Sequence, residues 1–226
     1  MRIDIISAVP DLLSSPLNTS IIKRSQDKKL VEIFVHDIRD YATDKHKTID
    51  DKPFGGGAGM LLKPEPIFSC IKKLQSEREY QHIIFTTPRG KILEQTDANR
   101  FSLAKNIIIL AGHYKGIDER VIEEFVTDEI SIGKYVLSGG ELPALIMVDV
   151  IVRIIPGVLN DSESALLDSF MDSDRIEPPF YTRPANLNGK NVPEILLSGN
   201  TKKINEWKEE QSQLLTKKWK KINRLE

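Results

Sequence analysis

The chain has 226 residues, of which 40% are hydrophobic and 29% charged, with a formal net charge of −1 and a single cysteine, Cys70. This composition is ordinary for a globular protein and excludes a collagenous or low-complexity chain; one cysteine excludes an internal disulfide and fits a reducing, cytoplasmic setting. Met1 to Pro10 lacks a signal-peptide pattern, and the apolar runs are too short and too charged to span a bilayer, so no membrane partner is expected.

Arg2 to Val9 alternates apolar and polar residues and predicts a first strand; Val31 to Ile38 predicts a second, with helix from Asp11 to Arg24 between them. A polar region then leads to PFGGGAGM at 53–60, whose four glycines predict a loop, though no Gly-Lys-Ser/Thr follows to make it a Walker A loop. Pro64 to Leu74 predicts a helix, His82 to Thr87 a buried strand, Gln95 to Ala104 a helix and Asn106 to Ala111 another buried strand. Continuous β-branched runs of this kind are typical of parallel strands covered on both faces. Polar turns follow them, TPRG at 87–90 and GHYKGIDER at 112–120. Ligand sites in open parallel sheets lie at the carboxyl ends of strands, so these turns are expected to form one pocket with a third loop, SIGKYVLSGGE at 131–141. No GxGxxG follows a strand, which argues against an ordinary dinucleotide-binding fold.

That third loop enters the most apolar stretch of the chain. Ser138 and Glu141 have the spacing of a capping box, and Pro143 is tolerated only in a first turn, so a helix is expected to start between Ser138 and Leu142. Beyond Pro143 the helix is apolar on nearly every side, which predicts burial all round. Arg153 on such a helix is either paired with Asp149, four residues earlier, or faces a cleft.

After Pro156-Gly157 the composition changes. Residues 158–180 hold six acidic residues and one arginine, and are expected to form an acidic, flexible linker. Residues 199–226 hold eight lysines and arginines against four glutamates, leaving the rest of the chain at −5. A basic end on an acidic protein points to a polyanionic partner or to a solvated helix face. Trp207 and Trp219 are expected to pack within this small helical part rather than stack on bases.

The segments DDKPFGGGAGM (50–60), GHYKGIDERV (112–121), IGKYVLSGGELPA (132–144), RIIPGVL (153–159), LLDSF (166–170), PFYTRP (179–184) and VPEILLSGN (192–200) occur in that order. In this they resemble bacterial tRNA (guanine-N1)-methyltransferases, the TrmD family of the SPOUT class, over essentially the whole chain. The resemblance implies an α/β fold whose parallel sheet holds a deep trefoil knot, with a small, mainly helical C-terminal domain. The implied organisation is a cofactor domain at 1–159, a linker at 160–178 and a tRNA-binding domain at 179–226. The implied reaction is methyl transfer from S-adenosylmethionine to N1 of guanosine 37 of tRNA, by a homodimer whose active site is shared between subunits. By position, Pro88, Gly112, Tyr114, Gly116, Ile132, Gly133, Lys134, Tyr135, Val136, Leu137, Gly139, Gly140 and Pro143 match cofactor-binding loops, while Asp168 and Arg153 match the catalytic pair. Asp168 is expected as general base and Arg153 as the cation facing charge that develops on the base.

Two departures stand out. Where the family often has Arg-Tyr-Glu-Gly and Gly-Asp-Tyr, this chain has His113-Tyr114-Lys115-Gly116 and Gly133-Lys134-Tyr135. Each puts a lysine in place of a carboxylate, which leaves a role for Mg2+ open; no metal ligands are assigned. LSGGE at 137–141 also resembles the signature of ABC-type ATPases, but a Walker A loop is missing. The remaining alternatives are a non-catalytic tRNA-binding relative of the same fold and the same chemistry on another RNA.

Overall fold

The computed structural model describes residues 1–159, 168–171 and 174–224. In chain order the first part contains β1 (Arg2–Ser7), α1 (Asp11–Leu17), α2 (Ser20–Asp27), β2 (Glu32–Asp37), β3 (Asp50–Asp51), β4 (Leu61–Leu62), α3 (Pro64–Glu77) and β5 (His82–Ile92). Then come α4 (Gln95–Ser102), β6 (Asn106–Ala111), α5 (Glu119–Phe125), β7 (Asp128–Ser131) and α6 (Glu141–Val152). The later part contains β8 (Asn186–Leu187), β9 (Lys190–Asn191), α7 (Glu194–Leu197) and α8 (Thr201–Asn223). The chain divides into two compact units, Met1–Asn160 and Asp161–Glu226. Of the expected linker at 160–178, residues 160–167, 172 and 173 lie outside the described residues.

Among the described residues of the first unit, the central sheet has the order β2-β1-β6-β5-β7 and every neighbouring pair is parallel. Both faces are covered, which is why β5 and β6 read as apolar runs. Ile3, Ile5, Ile107 and Ile109 pack with Met147, Val148 and Ile151 of α6 on one face. Ile6, Ile108 and Leu110 pack with Ile67, Ile71 and Leu74 of α3 on the other.

Three expectations need correction. The helix expected from Asp11 to Arg24 is two helices, because Pro16 has no N–H to donate and Ser20 takes a left-handed φ of +52°. The strand expected to end at Thr87 resumes after the TPRG excursion: Thr86 and Lys91 both register with Ile130, and Ile92 registers with Ser131. Gly90 permits this, since a Cβ there would lie 2.4 Å from the carbonyl carbon of Glu129. Lastly, α6 is not buried all round. Leu142 is 52% and Ile146 40% exposed, and with Asp149 they form a water-facing stripe at helical spacing.

In the second unit, Asn188 (φ +51°) and Gly189 (φ +82°) turn the β8–β9 hairpin. Trp219 meets Phe170 edge-on at 5.1 Å and Trp207 lies 6.4 Å from Tyr181, so both indoles are partly buried by packing within this unit. Thr216 Oγ1 accepts the Ile176 N–H at 2.9 Å, and Arg175–Glu209 and Asp174–Lys220 ion pairs tie the preceding segment to α8. Lys202, Lys203, Lys208, Lys217, Lys218 and Lys221 of α8 are exposed.

A buried polar knot lies on β1. Asp4 is fully buried and accepts from Arg2 through both carboxylate oxygens at 2.8 Å, from Tyr80 at 2.7 Å, and pairs with His36 Nε2 at 2.8 Å. Burial alone would raise its pKa; the hydrogen bonds from His36, Arg2 and Tyr80 outweigh this and hold the carboxyl at about 2. The folded value lies below the unfolded one, so the ionised network stabilises above about pH 4 and loses its contribution as pH falls toward 2, a term of about 2 kcal/mol. Asp4→Asn should therefore lower stability by about that amount in urea titrations at neutral pH, and the gap from wild type should shrink as the titrations are repeated toward pH 2.

Candidate active site

The TPRG excursion within β5 and the loops that follow β6 and β7 at their carboxyl ends enclose one cavity of about 290 Å³. The strands themselves contribute Phe85, Thr86, Ile130 and Ser131 to its wall. The excursion from β5 contributes Thr87 and Pro88, the loop after β6 contributes 112–116, and the loop after β7 supplies most of the rest.

The walls close on one another through backbone contact. Gly140 N–H donates to the Gly112 carbonyl at 2.6 Å, and His113 and Gly139 form an isolated antiparallel bridge. A Cβ on Gly140 would meet Thr86 Oγ1 at 2.5 Å, Gly112 N at 2.7 Å and the Ala111 Cα at 2.9 Å. Only glycine lets these strands of backbone meet at this separation. Thr86 Oγ1 lies 3.2 Å from the Gly140 carbonyl and 3.3 Å from the Leu110 carbonyl, so its hydroxyl bridges the two walls.

The start of α6 is built differently from the expected capping box. Gly140 is the N-cap, with helical φ and ψ and no side-chain cap, and the Ala144 N–H bonds to the Gly140 carbonyl at 2.9 Å. Ser138 sits two residues too early to cap this helix. Glu141 turns inward instead: it is 1% exposed, accepts from Ser7 Oγ at 2.9 Å and faces His113 Nδ1 at 3.4 Å. A buried carboxylate without such partners would cost several kcal/mol. Gly139 makes room for the pair, since a Cβ there would lie 2.3 Å from Glu141 Oε2 and 2.5 Å from His113 Nδ1.

The loop after β7 is shaped by its own side chains. Gly133 adopts φ +148°, a Cβ on it would strike the Tyr135 ring at 2.4 Å, and Tyr135 OH donates back to the Ile132 carbonyl at 3.1 Å. Residues 134–138 belong to no helix or strand, so their peptide groups are not consumed by regular structure. Val136, at 85% exposure, and Leu137 carry apolar side chains on this loop.

Of the residues matched by position to a cofactor site, Pro88, Gly112, Tyr114, Gly116, Ile132, Gly133, Tyr135, Val136, Leu137, Gly139, Gly140 and Pro143 line the cavity. Lys134 does not; its side chain is exposed. Thr87, His113, Lys115, Ser131 and Ser138 also line it, within the three loops expected to wall the pocket, whereas Phe85, Thr86 and Ile130 lie outside those loops. These three belong to β5 and β7, beside the loops that the carboxyl-end rule for parallel sheets singles out. Arg153 is the C-cap of α6, its N–H donating to the Asp149 carbonyl at 3.1 Å. Asp168 belongs to the second unit, where it lines a cavity of about 390 Å³ with Arg175, Phe180 and Lys208 among others.

The walls fit a nucleoside-like ligand in kind: backbone amides, hydroxyls of Thr86, Thr87 and Ser131, and aliphatic surfaces, with glycines where backbone must approach closely. They do not fit a divalent cation. Among the described residues no aspartate or glutamate lines the cavity, and no group of three or more His, Cys, Asp or Glu could hold a metal ion. Among the described residues no helix is long and apolar enough to cross a membrane.

Comparison with known proteins agrees with this architecture. Residues 1–224 match the family model described as tRNA (Guanine-1)-methyltransferase TrmD. The tRNA (guanine-N(1)-)-methyltransferase of Christiangramia forsetii is 57% identical over 218 residues, covering 96% of each chain. The proteins of the same name from Bacteroides thetaiotaomicron and Flavobacterium psychrophilum are 56% and 55% identical, again covering 96% of each chain. With a family match over nearly its full length and relatives at this identity, the chain belongs to the tRNA (guanine-1)-methyltransferase TrmD family.

Proposed function

We propose that this protein transfers the methyl group of S-adenosylmethionine to N1 of guanosine 37 of tRNA, beside the anticodon. The observation that carries the reading is the cavity at the carboxyl ends of β5, β6 and β7, lined by the loops that the family resemblance assigns to the methyl donor. When bound, S-adenosylmethionine supplies an electrophilic methyl on a sulfonium, which departs as a neutral thioether.

The remaining chemistry falls to the chain's own residues. Guanine N1 carries a proton at neutral pH and is a poor nucleophile until it is removed. Asp168 takes that proton as general base, and the electron pair left on N1 attacks the methyl carbon. Deprotonation puts negative charge on guanine O6, and the Arg153 guanidinium stabilises it there. The target nucleotide must leave its stack to be reached, and the exposed lysines of α8 hold tRNA phosphates while it does so.

The exposed Leu142 and Ile146 on α6, with Val136 and Leu137, support a homodimer in which these side chains are covered and the active site is shared between subunits. The family resemblance adds a deep trefoil knot in the first domain, residues 1–159. A linker at 160–178 and a tRNA-binding domain at 179–226 complete the chain, which works in the cytoplasm.

The direct test is methyl transfer from radiolabelled S-adenosylmethionine to unmodified tRNA transcripts carrying guanosine or adenosine at position 37. Label should enter the guanosine transcript alone; tRNA binding without any label would instead favour the non-catalytic relative. Asp168→Asn should cut transfer by roughly 10²-fold or more while leaving donor affinity within about twofold, and near-normal turnover would remove Asp168 as the base. Affinity for tRNA should drop by roughly two orders of magnitude between about 50 and 200 mM salt, and Lys217→Ala with Lys218→Ala should make that slope shallower. A flat salt response would point away from α8.

A further inference from the structure

The cavity has a charge asymmetry that methyl transfer does not by itself require. Among the described residues its wall includes two able to carry positive charge, His113 and Lys115, and no acidic one. His113 is engaged, with Nδ1 facing the buried Glu141 carboxylate at 3.4 Å. Lys115 has no ion-pair partner among the described residues.

Lys115 is nevertheless held in place. Its N–H donates to the Met60 carbonyl at 3.0 Å, and the turn around it is fixed by Tyr114 at φ +58°, Gly116 at φ +122° and a Gly116 N–H to His113 carbonyl bond of 2.9 Å. Its aliphatic stem runs over Gly59, which sits at φ +95°. A Cβ on that glycine would come within 3.0 Å of Lys115 Cγ and 3.1 Å of Cε. The glycine-rich loop thus provides a flat backbone platform for the lysine stem.

We propose that Lys115 is a specificity-determining residue for the methyl donor, its ammonium binding the carboxylate of the amino-acid end of S-adenosylmethionine. The proposal rests on that donor occupying this cavity. Of the donor's three charged groups, the sulfonium and the ammonium are cationic and only the carboxylate is anionic. A wall whose lysine stem is held, with no ion-pair partner for its ammonium and no acid among the described residues, matches the carboxylate and repels a ligand that lacks it.

Decarboxylated S-adenosylmethionine, which keeps both positive charges, is the probe. Calorimetric titration of the full chain with each ligand should show wild type preferring the carboxylated one by about tenfold or more. Lys115→Ala should bring the two affinities to within about threefold, Lys115→Arg should keep much of the preference, and Lys115→Glu should reverse it. Lys115 is exposed, so melting temperatures should stay near wild type. Equal weakening of both ligands by Lys115→Ala, or unchanged donor affinities with weakened tRNA binding, would overturn the proposal and assign the lysine to structure or to the RNA backbone. Failure of the wild-type protein to bind S-adenosylmethionine at all would overturn the donor assignment itself, and this proposal with it.

Discussion

One peptide hydrogen bond, from Gly140 N–H to the Gly112 carbonyl at 2.6 Å, fixes much of the first unit's architecture. It brings the loop after β7 against the end of β6 at a distance that no side chain on Gly140 would allow. Once it forms, α6 must begin at the next residue, and Glu141 is carried into the interior. The interior answers with Ser7 from the end of β1 and His113 from the loop after β6. The cavity is the space left between walls joined at this point, so its shape depends on glycines that contribute no side chain to it.

The strand β1 couples this arrangement to the rest of the sheet. Side chains alternate along a strand, so Ile3, Ile5 and Ser7 face α6 while Asp4 and Ile6 face α3. Each face carries one buried polar anchor: Ser7 receives a carboxylate from α6, and Asp4 supplies one to Arg2, His36 and Tyr80. Neither anchor tolerates a slip of one residue in register, because each would then point into the wrong apolar layer with its partners unpaired. The two contacts specify how β1 is seated as well as contributing to stability.

Much of this fold was legible in the sequence because it rests on local pattern. The β-branched runs gave β6 with its ends correct, and Pro143 limited where α6 could begin. Two of the differences share one cause: a distant partner overrides a local signal. Ser138 and Glu141 have capping-box spacing, but Glu141 finds a donor on Ser7, 134 residues away in sequence. The TPRG turn looks like the end of a strand, yet pairing of Lys91 and Ile92 with β7 carries the strand onward. The break between α1 and α2 was different, since Pro16 was visible and only its effect was underestimated. At the cavity, the lining loops carry recognisable motifs, whereas Phe85, Thr86 and Ile130 each read as part of a strand until the sheet order is known.

In α6 the local pattern is itself uninformative. Its residues are apolar around nearly the whole helix, so the sequence contains no periodicity that could separate a covered face from an open one. The structure makes the separation: Ala144, Met147, Val148 and Ile151 pack against the sheet, while Leu142 and Ile146 face water. A monomer could place polar residues at those two positions without disturbing the packing beneath them. That they are leucine and isoleucine is a constraint the single chain does not impose, and a second copy covering the stripe would impose it.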